Sequence, residues 1–297
     1  MGIPESQLET WSHQGSVKQS RDTYATIRGV LDHSSAPYAS KDYEIFLQGS
    51  YGNDTNIFAD SDVDVVIKIN SVYFDDTSGL SEDDQTAYKS AWSKAGYPYS
   101  DFKTDVTSHL AKNFPGKVTP GKKAILVEGE GNRRDADVLP AAQFRKYHRF
   151  RSWSDQSFTE GICFWDKAGN QIINYPKQHS ENCTTKHQNT SQRFKPVVRI
   201  LKNMRNRMID DGYLQDGVAP SYFLEGMLWN VPNSKFGSTR EDCVVNSLNW
   251  LITEADRSKL SCANDMYYLL HPTSLVTWRA EKMQTFLDAA VKYWKEW

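Results

Sequence analysis

Leu47-Gln48-Gly49-Ser50-Tyr51-Gly52 and, with eleven residues between Ser50 and Asp62, Asp62-Val63-Asp64-Val65-Val66 are the stretches that decide the fold of this chain. Tyr43-Glu-Ile-Phe-Leu47 and Val63-Asp-Val-Val-Ile-Lys-Ile69 are rich in β-branched and aromatic residues, so each predicts a strand. The glycine- and asparagine-containing stretch 49–61 between them predicts a loop or short helix. On a strand, residues i and i+2 share a face, so the Asp62 and Asp64 carboxylates project together. Two like charges so close call for a cation, and an all-oxygen site suits Mg²⁺, which binds through one or two carboxylates plus substrate phosphates. Gly49 lets the backbone come close, and a helix opening at Gly49-Ser50 would offer free N–H groups and its positive dipole end to a phosphate.

Working outward, Asp135-Ala136-Asp137 repeats the i, i+2 pattern on another candidate strand, after Arg133 and Arg134. One of these two acids would supply a third carboxylate. Three carboxylates suit a two-metal site, in which ions about 3.5–4 Å apart activate an attacking hydroxyl and stabilise the leaving oxygen of an in-line phosphoryl displacement. Each piece alone is weak: a lone Asp-X-Asp is also the pattern of a surface pair, a calcium loop or a sugar-nucleotide metal site, and a lone Gly-Ser is a turn. Their order is much more specific.

The rest of the chain supplies a frame of two lobes. Residues 5–32 read as one or two amphipathic helices interrupted by Gly15, residues 81–113 as helices covering a sheet, and 123–127 and 136–139 as further strands. Phe194, Val197, Val198, Leu201, Met204 and Met208 recur at helical spacing, as do apolar positions over 221–229, 241–254 and 274–295. The expected fold is α+β: a catalytic lobe over 1–150 with an N-terminal helix and a mixed sheet, then a mainly helical lobe over 151–297. The boundary region runs through 145–185, and the active site is expected in the cleft between the lobes.

Of the 297 residues, 39% are hydrophobic and 24% charged, the balance of a soluble globular protein rather than a disordered one. No apolar run reaches membrane-spanning length and the first thirty residues lack a secretory pattern. Cys163, Cys183, Cys243 and Cys262 show neither a zinc-knuckle spacing nor a disulfide framework, so a reduced cytoplasm is expected and the sequons at Asn53, Asn182 and Asn189 are read as chance. A net charge of −2 argues against long duplex DNA as an obligatory partner.

Leu47-Gln-Gly-Ser-Tyr-Gly, Ser61-Asp-Val-Asp-Val-Val and Ala136-Asp-Val-Leu-Pro-Ala resemble the polymerase-β-like nucleotidyltransferases, and within them the bacterial cGAS/DncV-like branch (CD-NTases), the cyclic oligonucleotide synthases of CBASS defence. Gly161-Ile-Cys-Phe-Trp, Ile173-Asn-Tyr-Pro-Lys-Gln-His, Phe194-Lys-Pro-Val-Val-Arg-Ile-Leu-Lys and Pro220-Ser-Tyr-Phe-Leu-Glu carry the resemblance into the second lobe, over roughly 40–235. It implies that Asp62 and Asp64 bind both Mg²⁺ ions (Mn²⁺ can substitute), that Asp137 completes the site and helps activate a ribose hydroxyl, and that Gly49 and Ser50 hold the triphosphate. Asp137 is preferred to Asp135 because Ala136 and Val138 flank it in the family manner.

Residues 185–209 hold seven basic residues and no acid, with Lys195, Arg199 and Lys202 at helical i, i+4, i+7 spacing. In similar enzymes this region meets the triphosphate, which makes Lys195, Lys202 and Ser221 phosphate-binding candidates, against a solvated helix face; Arg205 and Arg207 are expected at the surface. Asn174 is a candidate base reader, since an amide both donates and accepts, against a turn residue before Tyr175-Pro176. His179 and His187 have no second ligand at metal spacing, so hydrogen-bonding roles are expected. Tyr222 is divided between stacking on a base and core packing.

The resemblance implies an enzyme that joins NTPs (ATP, GTP or UTP) through 3′–5′ or 2′–5′ bonds into a cyclic di- or trinucleotide, with release of pyrophosphate. The product would be a second messenger for antiphage signalling that activates a separately encoded effector. A monomer is expected, with no membrane partner. The alternative is a transferase of the same fold adding one nucleotide to an RNA, protein or small-molecule acceptor. A glycosyltransferase would leave Gly49-Ser50 and Asp137 unexplained, and a dead nucleotide-binding module would not keep three clustered acids. The cysteine and histidine pattern of a zinc-containing DNA sensor is absent from the sequence.

Overall fold

The structure is a computed structural model that describes residues 2–15, 17–58, 62–93 and 95–297. Ser61 of the acidic motif lies outside them. Its internal contacts divide the chain into two units: a sheet unit, Lys18–Gln48 with Ser61–Pro176, and a helical unit, Met1–Val17, Gly49–Asp60 and Lys177–Trp297.

The sheet unit begins with helix α2 (Lys18–Leu31), which follows α1 (Glu5–Ser12) of the helical unit. Strand β1 (Tyr43–Leu47) pairs antiparallel with β2 (Val63–Asp76), and β2 pairs parallel with β5 (Ala136–Ser152). Short strands β3 (Val118–Pro120) and β4 (Ile125–Val127) extend the sheet beside the first part of β5, giving the order β1-β2-β5-β4-β3. Beside the later part of β5 run β6 (Asp155–Trp165) and β7 (Gln171–Asn174). One parallel pair among antiparallel neighbours makes the sheet mixed, as expected.

Because the side-chain period is two, the register assigns the faces. Val63, Val65, Ile67 and Ile69 stand beside Ala136, Val138, Pro140 and Ala142, and together they form a buried apolar face. The same face carries Phe74 and Trp165, against which Tyr99 of α5 (Tyr99–Asn113) packs with ring centroids 5.2 Å apart. Helix α4 (Glu82–Ala91), capped by the Ser81 hydroxyl and opened by three acids, covers the far end of the other face through Tyr88 and Tyr147.

The helical unit gathers α1 with α6 (Pro176–Asn189), α7 (Phe194–Asp210), α8 (Ser221–Trp229), α9 (Arg240–Thr253) and α10 (Ala280–Glu296), and includes the one-turn helix α3 (Gly49–Gly52). Phe194, Val197, Val198, Leu201, Met204 and Met208 of α7 are fully buried in its core, each worth roughly 1.5–3 kcal/mol of burial. The C-terminal aromatic run joins that core: Tyr293 is buried, and Trp297 meets Trp11 edge-on at 5.3 Å.

This grouping differs from a cut at residue 150. Strands β6 and β7 extend the β5 ladder, so the sheet unit runs to Pro176, whereas α1 packs on α7. The four cysteines are free and buried, and no helix among the described residues is long and apolar enough to cross a membrane.

Candidate active site

In the sheet unit, Asp64 on β2 stands directly opposite Asp137 on β5 in the parallel register. Asp62 lies two residues before Asp64, at the mouth of the strand, and the Val63 N–H between them donates to the Asp135 carbonyl at 3.0 Å. The three candidate carboxylates therefore gather on one face at one end of adjacent strands. Asp62 is exposed, and Asp64 and Asp137 are half-buried. Burial, then the neighbouring Asp62 and Asp135 carboxylates, push the Asp137 carboxyl above its ordinary range. A cluster of hard oxygen donors in which one acid resists ionisation fits a divalent cation, which would relieve the repulsion. Asp135 has another task, since its Oδ1 accepts the Gly129 N–H at 2.5 Å and closes the turn before β5.

The face bearing the acids continues along β5. Asp137, Leu139, Ala141 and Gln143 follow each other on it; Gln143 faces Ile162, and Ile162 faces Asn174. Asn174 thus shares a sheet face with the acids. Its Oδ1 accepts the Tyr175 N–H at 2.9 Å just before α6, so the residue also serves the turn. Between the two ends runs a polar chain: buried Lys68 bonds Glu160 and pairs with Glu44 at 3.2 Å, Gln143 donates to Glu160 at 2.7 Å, and Arg145 donates to Gln143 at 2.8 Å.

β1 leads directly to the glycine turn. The Gln48 N–H donates to the Asp64 carbonyl at 3.1 Å, and Gly49 is the next residue, with a φ of +64° that favours glycine. Helix α3 then makes one turn, as the motif predicted, and the Ser50 carbonyl accepts the Thr55 N–H at 2.9 Å.

In the helical unit, Lys195 and Lys202 are buried rather than arranged on a solvated face. The Lys195 ammonium pairs with Asp54 at 3.0 Å and Lys202 donates to the Thr55 carbonyl at 3.0 Å, while Arg199 donates to the Ser12 and Asp54 carbonyls. Ser221 opens α8 and accepts from Arg205 at 3.1 Å. Arg205, expected at the surface, is half-buried because it also donates to the Ala219 carbonyl; Arg207 is exposed. Burial, then the charges of Lys195 and Arg199, push the His187 imidazole down to about 4, and its Nδ1 accepts the Lys195 N–H. Tyr222 stacks on His179 with centroids 4.8 Å apart.

Sequence spacing gave His179 no partner, yet folding brings Glu225 to it: His179 Nε2 donates to the Glu225 carboxylate at 2.6 Å. With Cys183 they form a buried group whose ligand-type atoms lie within 4.8 Å of one another. Protein donors already serve both Glu225 oxygens, namely Thr55 on one and Asn53 and His179 on the other. The forward signals for this site were the Ile173-Asn-Tyr-Pro-Lys-Gln-His block, which ends on His179, and the Pro220-Ser-Tyr-Phe-Leu-Glu block, which ends on Glu225.

Residues 181–295 match the family described as the cGAS/DncV-like nucleotidyltransferase C-terminal helical domain. The whole chain is 40% identical, over 301 aligned residues covering 100% of it and 99% of the relative, to the cyclic UMP-AMP synthase of Rhodothermus marinus. The chain belongs to the cGAS/DncV-like nucleotidyltransferases. Another relative, the cyclic nucleotide synthase CdnE01 of Staphylococcus haemolyticus, is 34% identical over the full length of both chains. Among solved structures, that of the Rhodothermus marinus CdnE c-UMP-AMP synthase with Apcpp and Upnpp superposes with a TM-score of 0.89 at 39% identity, covering 99% of this chain and 97% of that one. The mixed sheet with its helices is the polymerase-β-like part of this CD-NTase, and the helices from α6 onward form the family's C-terminal domain.

Proposed function

We propose that this chain is a cyclic oligonucleotide synthase that joins NTPs into a cyclic di- or trinucleotide and releases pyrophosphate. The observation that carries this reading is the placement of Asp64 opposite Asp137 with Asp62 two residues away, on the framework of a chain 40% identical to a cyclic UMP-AMP synthase. Asp62, Asp64 and Asp137 would hold two Mg²⁺ ions, or Mn²⁺ in their place; the metal supplies charge neutralisation at the phosphoryl group and acidifies the attacking hydroxyl. Asp137, whose carboxyl is held above its ordinary range by burial and by the Asp62 and Asp135 carboxylates, would receive the proton of the ribose hydroxyl as its oxygen bonds the α-phosphorus and pyrophosphate departs.

Gly49 and Ser50 are proposed to hold the triphosphate through backbone N–H groups and the serine hydroxyl, with Lys195, Lys202 and Ser221 as further phosphate ligands. Asn174 is proposed to read a base edge with the amide group that its cap on Tyr175 leaves over. Similarity to the Rhodothermus marinus protein favours uridine and adenine nucleotides as substrates. Relatives named as dipurine and dipyrimidine synthases are 34% and 32% identical, so side chains within the shared fold would set base choice. The product would be a messenger for a separately encoded effector in antiphage defence, made by a soluble cytoplasmic monomer without duplex DNA.

Incubation of the purified protein with four NTPs and Mg²⁺ or Mn²⁺, phosphatase treatment and mass spectrometry test this. A phosphatase-resistant species at the mass of a cyclic di- or trinucleotide is expected. Stoichiometric transfer of one nucleotide to an added acceptor, with no cyclic species, would establish the single-transfer alternative instead.

A further inference from the structure

The segment that follows α3 is a loop, yet Asn53, Thr55 and Asn56 are buried, with Thr55 and Asn56 fully so. Loops ordinarily run over the surface because their backbone groups need water, so a buried one must find every partner in the protein. The partners of this one come from several elements of the helical unit, although Asn56 Nδ2 has none among the described residues. Ser180 of α6 donates to the Gly52 carbonyl at 3.4 Å, Lys195 and Arg199 of α7 hold Asp54, and Lys202 holds the Thr55 carbonyl. On the N-terminal side, the Asn56 carbonyl accepts the Gly15 N–H at 3.1 Å and the Asn56 side chain accepts from Gln14 at 2.7 Å. Asp54 is held at a φ of +55°, a strained conformation for a residue with a side chain, and its backbone and carboxylate are both tied.

Glu225 is the centre of this arrangement. It is buried on α8, where an acid is almost never found unless paired. One oxygen takes the Thr55 hydroxyl, and the other takes Asn53 Nδ2 at 3.1 Å and His179 Nε2 at 2.6 Å. Thr55 in turn donates its N–H to the Ser50 carbonyl at 2.9 Å, so two hydrogen bonds separate the Glu225 carboxylate from Ser50.

We propose that Glu225, oriented by His179, is a positioning residue that fixes Ser50 through Thr55 and so presets the phosphate-binding turn. The proposal rests on the reading of Gly49 and Ser50 as triphosphate ligands. In support, burial alone would push the Glu225 carboxyl up, yet the His179 hydrogen bond and charge, the Thr55 hydroxyl and Lys202 hold it below its ordinary range, so the carboxylate stays ionised and acts as an acceptor for every donor around it. His179 Nδ1, buried, has no partner among the described residues, so the ring's one bond is the one that orients Glu225. Pre-organisation of this kind lowers the cost of binding without touching the ligand.

The test uses the full chain with Thr55→Val, which removes only the hydroxyl, Thr55→Ser, which keeps it, and Glu225→Gln, which cannot accept from all three donors. Hydrogen exchange over 47–57 is followed by mass spectrometry beside the apparent KM for NTPs and kcat. Expected are faster exchange over this segment and a KM raised about tenfold in Thr55→Val, with kcat changed less, and values within about twofold of the parent in Thr55→Ser. Glu225→Gln should match or exceed Thr55→Val in exchange, which is read even if its Tm falls. Parent-like exchange in a folded Thr55→Val protein, or loosened exchange with an unchanged KM, would overturn the proposal. Failure of the parent to make a cyclic product would count against the function alone, because the exchange arm reads the Glu225–Thr55–Ser50 link without turnover.

Discussion

Asp64 and Asp137 face each other across two parallel strands, so their separation is set by the hydrogen bonds of the sheet rather than by a loop. Sites built on regular elements hold their groups more closely than sites on loops. Asp137 is fixed there against the repulsion of the neighbouring Asp62 and Asp135 carboxylates.

Asp62→Asn combined with Asp64→Asn should lower cyclic product formation by on the order of 10³-fold or more while the protein stays folded, because the oxygen donors for the cation are weakened but volume is kept. Product quantified by mass spectrometry beside circular dichroism checks this. Near-normal product would remove these residues from the reaction.

Asp137→Asn should raise the metal-free Tm while abolishing turnover. A carboxyl whose folded pKa is raised is easier to protonate in the native state than in the unfolded chain. Its favourable contribution is therefore complete below the unfolded value near 3.8 and is lost as pH rises through the folded value. Thermal melts in EDTA at neutral pH should show a gain of about 1–2 °C that vanishes under acidic conditions. A lower Tm at neutral pH would mean that Asp137 is stabilised by partners rather than strained by neighbours.

Gly49→Ala should cost about 1 kcal/mol from the left-handed φ alone, or about 3 °C in Tm, and should raise the KM for NTPs by more than that strain predicts. Calorimetry and steady-state kinetics on the same preparation separate the two. A loss of stability with unchanged KM would leave Gly49 a turn residue only.

Asn174→Ala should change the ratio of bases incorporated from an equimolar NTP mixture by roughly tenfold, the scale set by the net loss of one hydrogen bond. Competition assays read by mass spectrometry give that ratio. A constant ratio with a lower Tm would assign Asn174 to its cap on Tyr175.

The acidic motif was legible because period-two alternation and like-charge proximity are local properties, and Asp62, Asp64 and Asp137 each sit in such a pattern. The helical spacing of Phe194 to Met208 announced a buried face for the same reason. The fate of Lys195 and Lys202 was not legible. Spacing puts them on one side of α7 but does not say that Asp54 and Thr55 lie against it. Glu225 was hidden for a related reason: its bond to Thr55 spans 170 residues, and the motif block that ends on it does not say that the acid will be buried. Strands β6 and β7 joined the sheet past residue 150 because β5 is long enough to carry two neighbours along one edge.

That long strand has a further consequence. Asp137 and Gln143 lie on the same strand six residues apart, about 20 Å, and Gln143 is in register with Asn174 through Ile162. β5 is therefore a ruler between the end of the face that carries the three acids and the end where Asn174 is proposed to read a base, graduated in steps of about 6.6 Å, since a one-residue insertion would turn every later side chain to the opposite face. A lineage built on such a ruler can exchange the side chains at either end freely. It cannot slide one end toward the other by small amounts, so its products should diversify by the identity of the bases sooner than by the spacing at which they are read.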